Sequence, residues 1–232
     1  KISVISRMNR IIICLFFCVQ ASLSYSQAKW TSNPLGQKAF VGNEGQFIKL
    51  NGEYNAEILF GTRCEGVDLY FTASGLTYRH VENPVISQEE REEMERGEGK
   101  DIVPPQPVSH YLHITWEGAS KDVKIIAQEA VANYYTYPDT RDVSGRSSIW
   151  ASAFQKIVYK NLYPNIDLEY IFPKNKGGVK YSFILHPGAD PSIIKMKYEG
   201  AKNMALDVSG NVVIQSSFGE FVDHAPISYY ED

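Results

Sequence analysis

Asp167 and Glu169 stand two residues apart, with Ile166, Leu168 and Tyr170 at the intervening and flanking positions. On a strand this spacing puts both carboxylates on one sheet face, about 7 Å apart, between the separations used by retaining and inverting glycosidases. A glycan-processing pair is one reading. The other is the outer face of an antiparallel strand, with Lys180 across a hairpin as a neutralising partner. The alternation with three large apolar residues favours the second, since nothing in the sequence buries either carboxylate.

The remaining chemistry-bearing residues are weighed in the same way. His110 and His113 are three apart, but Leu112, Ile114 and Trp116 alternate as a strand does, so the two rings fall on opposite faces and share no ion. The stretch 137–145 carries Asp139, Asp142 and Ser144, oxygen ligands of the kind calcium takes. It lacks the ligand alternation and central glycine of a helix-loop-helix calcium site, and Arg141 competes for the carboxylates. A polar turn is the expectation, and no metal or cofactor is expected. Ser147 and Ser148 lack nucleophile-elbow glycines, and no phosphate-cradling loop is present. Tyr134, Tyr135 and Tyr137, with Trp150 nearby, would form a stacking platform for a sugar or a protein if exposed together, with Tyr135, Tyr137 and Trp150 the candidate binding residues, whereas alternating aromatics in a sandwich fill the core.

These residues are carried by a chain of 232 residues, 44% hydrophobic, 22% charged and 12% aromatic, the make-up of a globular protein with a core of its own. A formal net charge of −4 argues against a nucleic-acid surface. Short alternating runs bounded by turn residues predict strands at 47–50, 58–60, 67–72, 76–80, 109–116, 123–127, 130–135, 157–159, 166–172, 179–185, 193–198, 204–208, 212–216 and 221–225. Gly61-Thr62 is among the predicted turns. With no helices alternating between strands, the fold class is all-β, an antiparallel β-sandwich. One short exposed helix interrupts it: Ser87 and Glu90 make a capping box, the charged run to Arg96 follows, and Gly97 stops it. With Pro104, Pro105 and Pro107 it forms an exposed inserted loop over 83–108.

Residues 1–26 read as a secretory signal peptide: Lys1, Arg7 and Arg10, an apolar run over 11–19, then small and polar residues. The apolar run is too short for a stable membrane span. Residues 27–232 then form a single β-rich domain. Cys64 is the one cysteine outside that leader, so packing rather than a disulfide must hold the domain.

Four blocks carry a resemblance. Phe40-Val41-Gly42-Asn43-Glu44-Gly45-Gln46 resembles an aromatic-x-x-Asn-x-Gly-Gln opening, and Asn133-Tyr134-Tyr135 an Asn-Tyr-aromatic element. The third block runs from Val158 through Tyr163, Pro164, Asp167 and Glu169 to Tyr170. The fourth runs from Lys180 through Pro187, Gly188, Asp190 and Pro191 to Ala201. Together they are similar to a β-rich N-terminal domain of large secreted proteins of Bacteroidota. In those proteins it precedes β-propeller-type (SBBP) repeats, polycystic-kidney-disease-type modules or a gliding-motility-associated C-terminal sorting domain, and they look like type IX secretion cargo. The resemblance implies a non-catalytic module supporting adhesion or assembly, secreted or on the cell surface, with other modules of the same longer polypeptide, surface glycans or proteins as partners. It also implies further strands beyond residue 232. It brings no activity residue by residue. Read on their own, its residues shape backbone: Asn43 and Gly45 close a turn on the way into the first strand, and Pro187, Gly188 and Pro191 make another.

Overall fold

The computed structural model describes residues 38–47, 55–96, 106–139, 141–142, 144–174 and 177–229. The signal-peptide segment and residues 48–50 of the first predicted strand lie outside these residues. Among the described residues every strand pairing is antiparallel, and the all-β expectation holds.

The order is β1 (Phe40–Gly42), β2 (Phe60–Cys64), β3 (Val67–Thr72), β4 (Gly75–Glu82), α1 (Gln88–Arg96), β5 (Val108–Trp116), β6 (Lys124–Ala130), β7 (Tyr135–Pro138), β8 (Ser148–Ala151) and β9 (Ala153–Tyr163). Then come β10 (Ile166–Ile171), β11 (Lys180–Leu185), a 3-10 turn (Pro191–Ile193), β12 (Met196–Glu199), β13 (Asn203–Leu206), β14 (Val212–Ser216) and β15 (Gly219–Asp223). The main sheet runs β11-β10-β9-β1-β2-β3-β4-β5-β12, with β6 also on β9. β7–β8 is a separate ribbon and β13-β14-β15 a small third sheet.

β9 organises the molecule. It pairs β10 through residues 156–163 and β6 through 154–160, so these two must lie on opposite edges. β1 pairs residues 153–154, overlapping β6, and therefore lies in line with β10. Two halves of the sheet thus diverge from one edge of a single strand and curl into a half-barrel. Alternation directs the core inward. Leu69 and Phe71 of β3 meet Leu76 of β4, Trp116 of β5, Ile157 and Tyr159 of β9 and Leu168 and Tyr170 of β10, with Phe40 between the halves. Trp116 packs edge-on against Tyr181 and Phe183 of β11, at 5.9 and 5.4 Å, closing the core across its open side.

Several boundaries differ from expectation for identifiable reasons. Gly61-Thr62 lies inside β2, not in a turn: the Phe47 ring sits where a Gly61 Cβ would be, so the glycine makes room for a covering side chain. The predicted strand at 130–135 is instead the end of β6 and the start of the ribbon, separated by a bend at 132–133. The 157–159 run is the centre of an eleven-residue strand, and β8 answers to none of the predicted segments. The start of 193–198 is a 3-10 turn begun by Pro191. The charged helix forms where expected and its described residues are exposed.

The C-terminal sheet docks on the inner face of the half-barrel through three residues. Phe218 stacks on His80 (5.4 Å, 6° between planes), Phe221 on Tyr78 (5.3 Å), and Asp223 accepts hydrogen bonds from Tyr181 (2.9 and 3.0 Å) and Tyr198 (2.7 Å). Burial, then the Asp223 charge, pushes the Tyr78 hydroxyl up to about 12. Burial raises the Tyr159 and Tyr170 hydroxyls as well. These groups are bound as neutral phenols, so their stabilisation is complete below the unfolded tyrosine value near 10 and is lost as pH rises through their folded values. Far-UV circular dichroism should therefore show stability falling from about pH 10 upward, through about 12 for Tyr78. Tyr198→Phe should cost about 1.5 kcal/mol, a hydrogen bond to a charged acceptor, and raise amide exchange selectively in β13–β15.

Candidate functional site

Asp167 is the most deeply buried carboxylate among the described residues, 2% exposed. It sits where β9 carries two more residues than β10: Ile166 faces Tyr163 while Leu168 faces Tyr159. Asn161, inside this bulge, holds φ +52, a left-handed conformation that asparagine tolerates better than most residues. Its amide has lost its ladder partner and donates instead to Asp167 Oδ1 at 2.8 Å. Asp167 Oδ2 pairs with Lys160 Nζ at 2.6 Å and His186 Nε2 at 2.9 Å. Burial pushes the carboxyl up, but Lys160, the Asn161 amide and His186 outweigh it and hold it below the ordinary carboxylate value. Glu169, on the same outer face, pairs with Lys156 at 2.9 Å. The lysine partners are therefore Lys156 and Lys160 of β9, not Lys180, which stands opposite Ile171. Each carboxylate is tied to its own lysine on the outside of the curl. This geometry fastens β9 to β10 and engages both carboxylates in ion pairs.

The other motif residues also close on the backbone. Tyr163 donates from its hydroxyl to the carbonyls of Glu117 (3.0 Å) and Lys195 (3.2 Å), tying the β5 and β12 ends to the β9–β10 turn. Pro164 and Asn165 (φ +59) make that turn. Pro187 and Gly188 (φ +85) make the next, closed by the Ala189 amide on the His186 carbonyl at 3.0 Å. Asp190 Oδ1 accepts from the Ser192 amide at 2.9 Å and caps the 3-10 turn at Pro191. Tyr163, Pro164, Ser192, Ile193, Lys195, Glu117 and Gly118 line an open depression of about 490 Å³. Asn43 Oδ1 accepts from the Gly45 amide at 3.0 Å, the expected turn; it follows β1, and residues 48–50 of the strand it was expected to precede lie outside the described residues. Asn43 Nδ2 also donates to the Asn55 and Ile58 carbonyls, and Gln46 to the Gly42 carbonyl. Asn133 lies exposed in the bend before β7.

The described residues of the loop at 139–147 likewise pair with one another. Asp139 holds Arg141 at 2.8 and 3.0 Å, and Asp142 accepts from the hydroxyls and amides of Ser144 and Ser147 and from the Arg146 amide. The serine hydroxyls lead the causes that hold the Asp142 carboxyl far below the usual range. His110 and His113 point to opposite faces, the first between Glu82 and Phe218, the second on Thr77.

Tyr135, Tyr137 and Trp150 do not come together as a platform; the core-filling alternative holds for the two tyrosines. The ribbon register sets Tyr135 opposite Ala151, Tyr137 opposite Ile149 and Thr136 opposite Trp150. Opposed residues share a face. Tyr135 and Tyr137 therefore pack half-buried on Ala39, Val41 and Ala153, and burial raises both hydroxyls, while Trp150 stands alone on the other side, 65% exposed. Sequence reasoning missed this because β8 was not foreseen; once β8 is placed, its period of two separates the three side chains.

Among the described residues no helix is long and apolar enough to cross a membrane, and no group of three or more His, Cys, Asp or Glu could hold a metal ion. Residues 40–232 match a family model described as a domain of unknown function, DUF7948. No curated protein and no solved structure matches the chain.

Proposed function

We propose, from the premise that this chain belongs to the DUF7948 family, that its β-rich domain is a non-catalytic module of a secreted or cell-surface polypeptide, supporting adhesion or assembly beside other modules of that polypeptide. The observation that carries the reading is where the motif side chains spend their polar groups. Asp167 serves a bulge, Tyr163 two carbonyls, Asn43 a turn and Asp190 a cap. Side chains that hold backbone in place are fixed by that role, whereas a catalytic pair needs one group poised to titrate in a cleft. The leader-like composition of residues 1–26 supports export.

Fractionating cells that express the native gene tests this. The protein should be recovered from the surface or medium, with N-terminal sequencing placing the start of the chain after residue 26. Recovery in the cytosol with residues 1–26 attached overturns the reading, as does turnover of a glycan substrate that Glu169→Gln abolishes without altering the unfolding midpoint.

A further inference from the structure

We infer that the outer face of the β7–β8 ribbon is a binding strip for a neutral glycan, centred on Trp150. The inference goes beyond the module role and stands without it.

The strip follows from the register. Thr136 opposes Trp150 and Pro138 opposes Ser148, so these four share the face turned away from the core, and Tyr134 continues the same alternation just before β7. Beneath them Ile149 and Ala151 are buried, at 7% and 0%, and anchor the ribbon. Trp150 and Tyr134 nevertheless remain 65% and 64% exposed. A tryptophan buries 150–250 Å² when its fold can cover it, so one left open on a fixed strand is a ring held out to solvent.

The polar groups of the strip point the same way. The indole N–H of Trp150 and the hydroxyls of Tyr134, Thr136 and Ser148 make no hydrogen bond among the described residues. Immediately along the chain the opposite holds: Ser144 and Ser147 both spend their hydroxyls on Asp142. The strip is also uncharged, while its neighbours Asp139 and Arg141 neutralise each other.

That combination selects the occupant. A sugar ring offers a face of C–H groups that stacks on an aromatic ring and equatorial hydroxyls that pair with hydroxyl and N–H groups at its edge. A charged polymer would need countercharges that these five residues do not carry. A stable protein interface takes about 800 Å² and roughly 20–30 residues from each partner, more than a strip of five residues offers. An uncharged oligosaccharide is complementary on all three counts.

The test is isothermal titration calorimetry of the protein against a panel of neutral hexasaccharides: cellohexaose, laminarihexaose, xylohexaose, mannohexaose and maltohexaose. At least one should bind, Trp150→Ala should weaken that binding about tenfold or more, and Tyr134→Ala should weaken it less. Tyr137→Phe, altered on the buried face, should leave affinity unchanged. Because Trp150 is exposed, the Trp150→Ala protein should keep its unfolding midpoint, which separates loss of binding from loss of fold. No binding by any member of the panel overturns the inference, as does binding that survives Trp150→Ala. A Trp150-dependent dimer in sedimentation velocity overturns it too, by giving the ring a protein occupant.

Discussion

Phe40→Ala is expected to lower unfolding free energy by about 3–5 kcal/mol, the range for deleting a fully buried aromatic ring. Phe40 belongs to a strand of only three residues, yet it is 0% exposed and stands where the two halves of the sheet diverge. Its ring stacks on Phe172 from one half at 4.4 Å and meets Phe71 from the other edge-on at 5.2 Å. Deleting it opens a cavity between halves whose short pairing through β1 offers little means of collapsing onto it. Urea unfolding followed by fluorescence should show a lower midpoint with an unchanged slope. A loss below about 1 kcal/mol would mean that the halves close over the gap and that Phe40 is not their joint.

Asp167→Ala should cost about 3 kcal/mol by a different route. The substitution leaves the Asn161 amide without its part-buried acceptor inside the bulge and removes a buried charge partner from Lys160 and His186. Those two side chains both reach solvent and contribute less. Asp167→Asn, which keeps an oxygen for the amide, should cost less. The pH dependence carries the sign. The folded carboxyl lies below its unfolded value near 3.9, so the stabilisation is present above that value and is lost as pH falls through the lowered folded one. Acid unfolding curves of the wild type and Asp167→Asn should therefore converge at low pH. Parallel curves down to the lowest accessible pH would show that the carboxylate charge is not what holds the bulge.

These residues also show what could be read from sequence and what could not. The strands at 67–72 and 212–216 lie where alternation puts them, because hairpin neighbours in the chain are also neighbours in the sheet. The opposite faces of His110 and His113 follow from parity alone. The partners of Asp167 and Glu169 did not: the β10–β11 register sets Lys180 opposite Ile171, and which lysines of β9 lie alongside depends on a two-residue bulge that leaves no mark on hydrophobic periodicity. Gly61 reads as a turn residue until the Phe47 ring is placed over it. The aromatic platform failed for the same reason as the lysine pairing. Tyr135, Tyr137 and Trp150 are close in sequence, but only cross-strand register decides which of them are close in space.

The position of β1 against β9 has a consequence for biosynthesis. Phe40 pairs with Phe154, while β2, β3 and β4 each pair with their immediate successor. On a chain emerging N-terminus first, the early hairpins can assemble while one edge of β1 and the Phe40 ring wait for more than a hundred further residues to be made. At ribosomal rates of about 5–20 residues per second this delay lasts on the order of 5–20 s. A sticky half-sheet exposed for that long is a substrate for a holding chaperone, and pulse-labelled nascent chains stalled before residue 153 should remain protease-sensitive across β1 where those released after residue 171 do not.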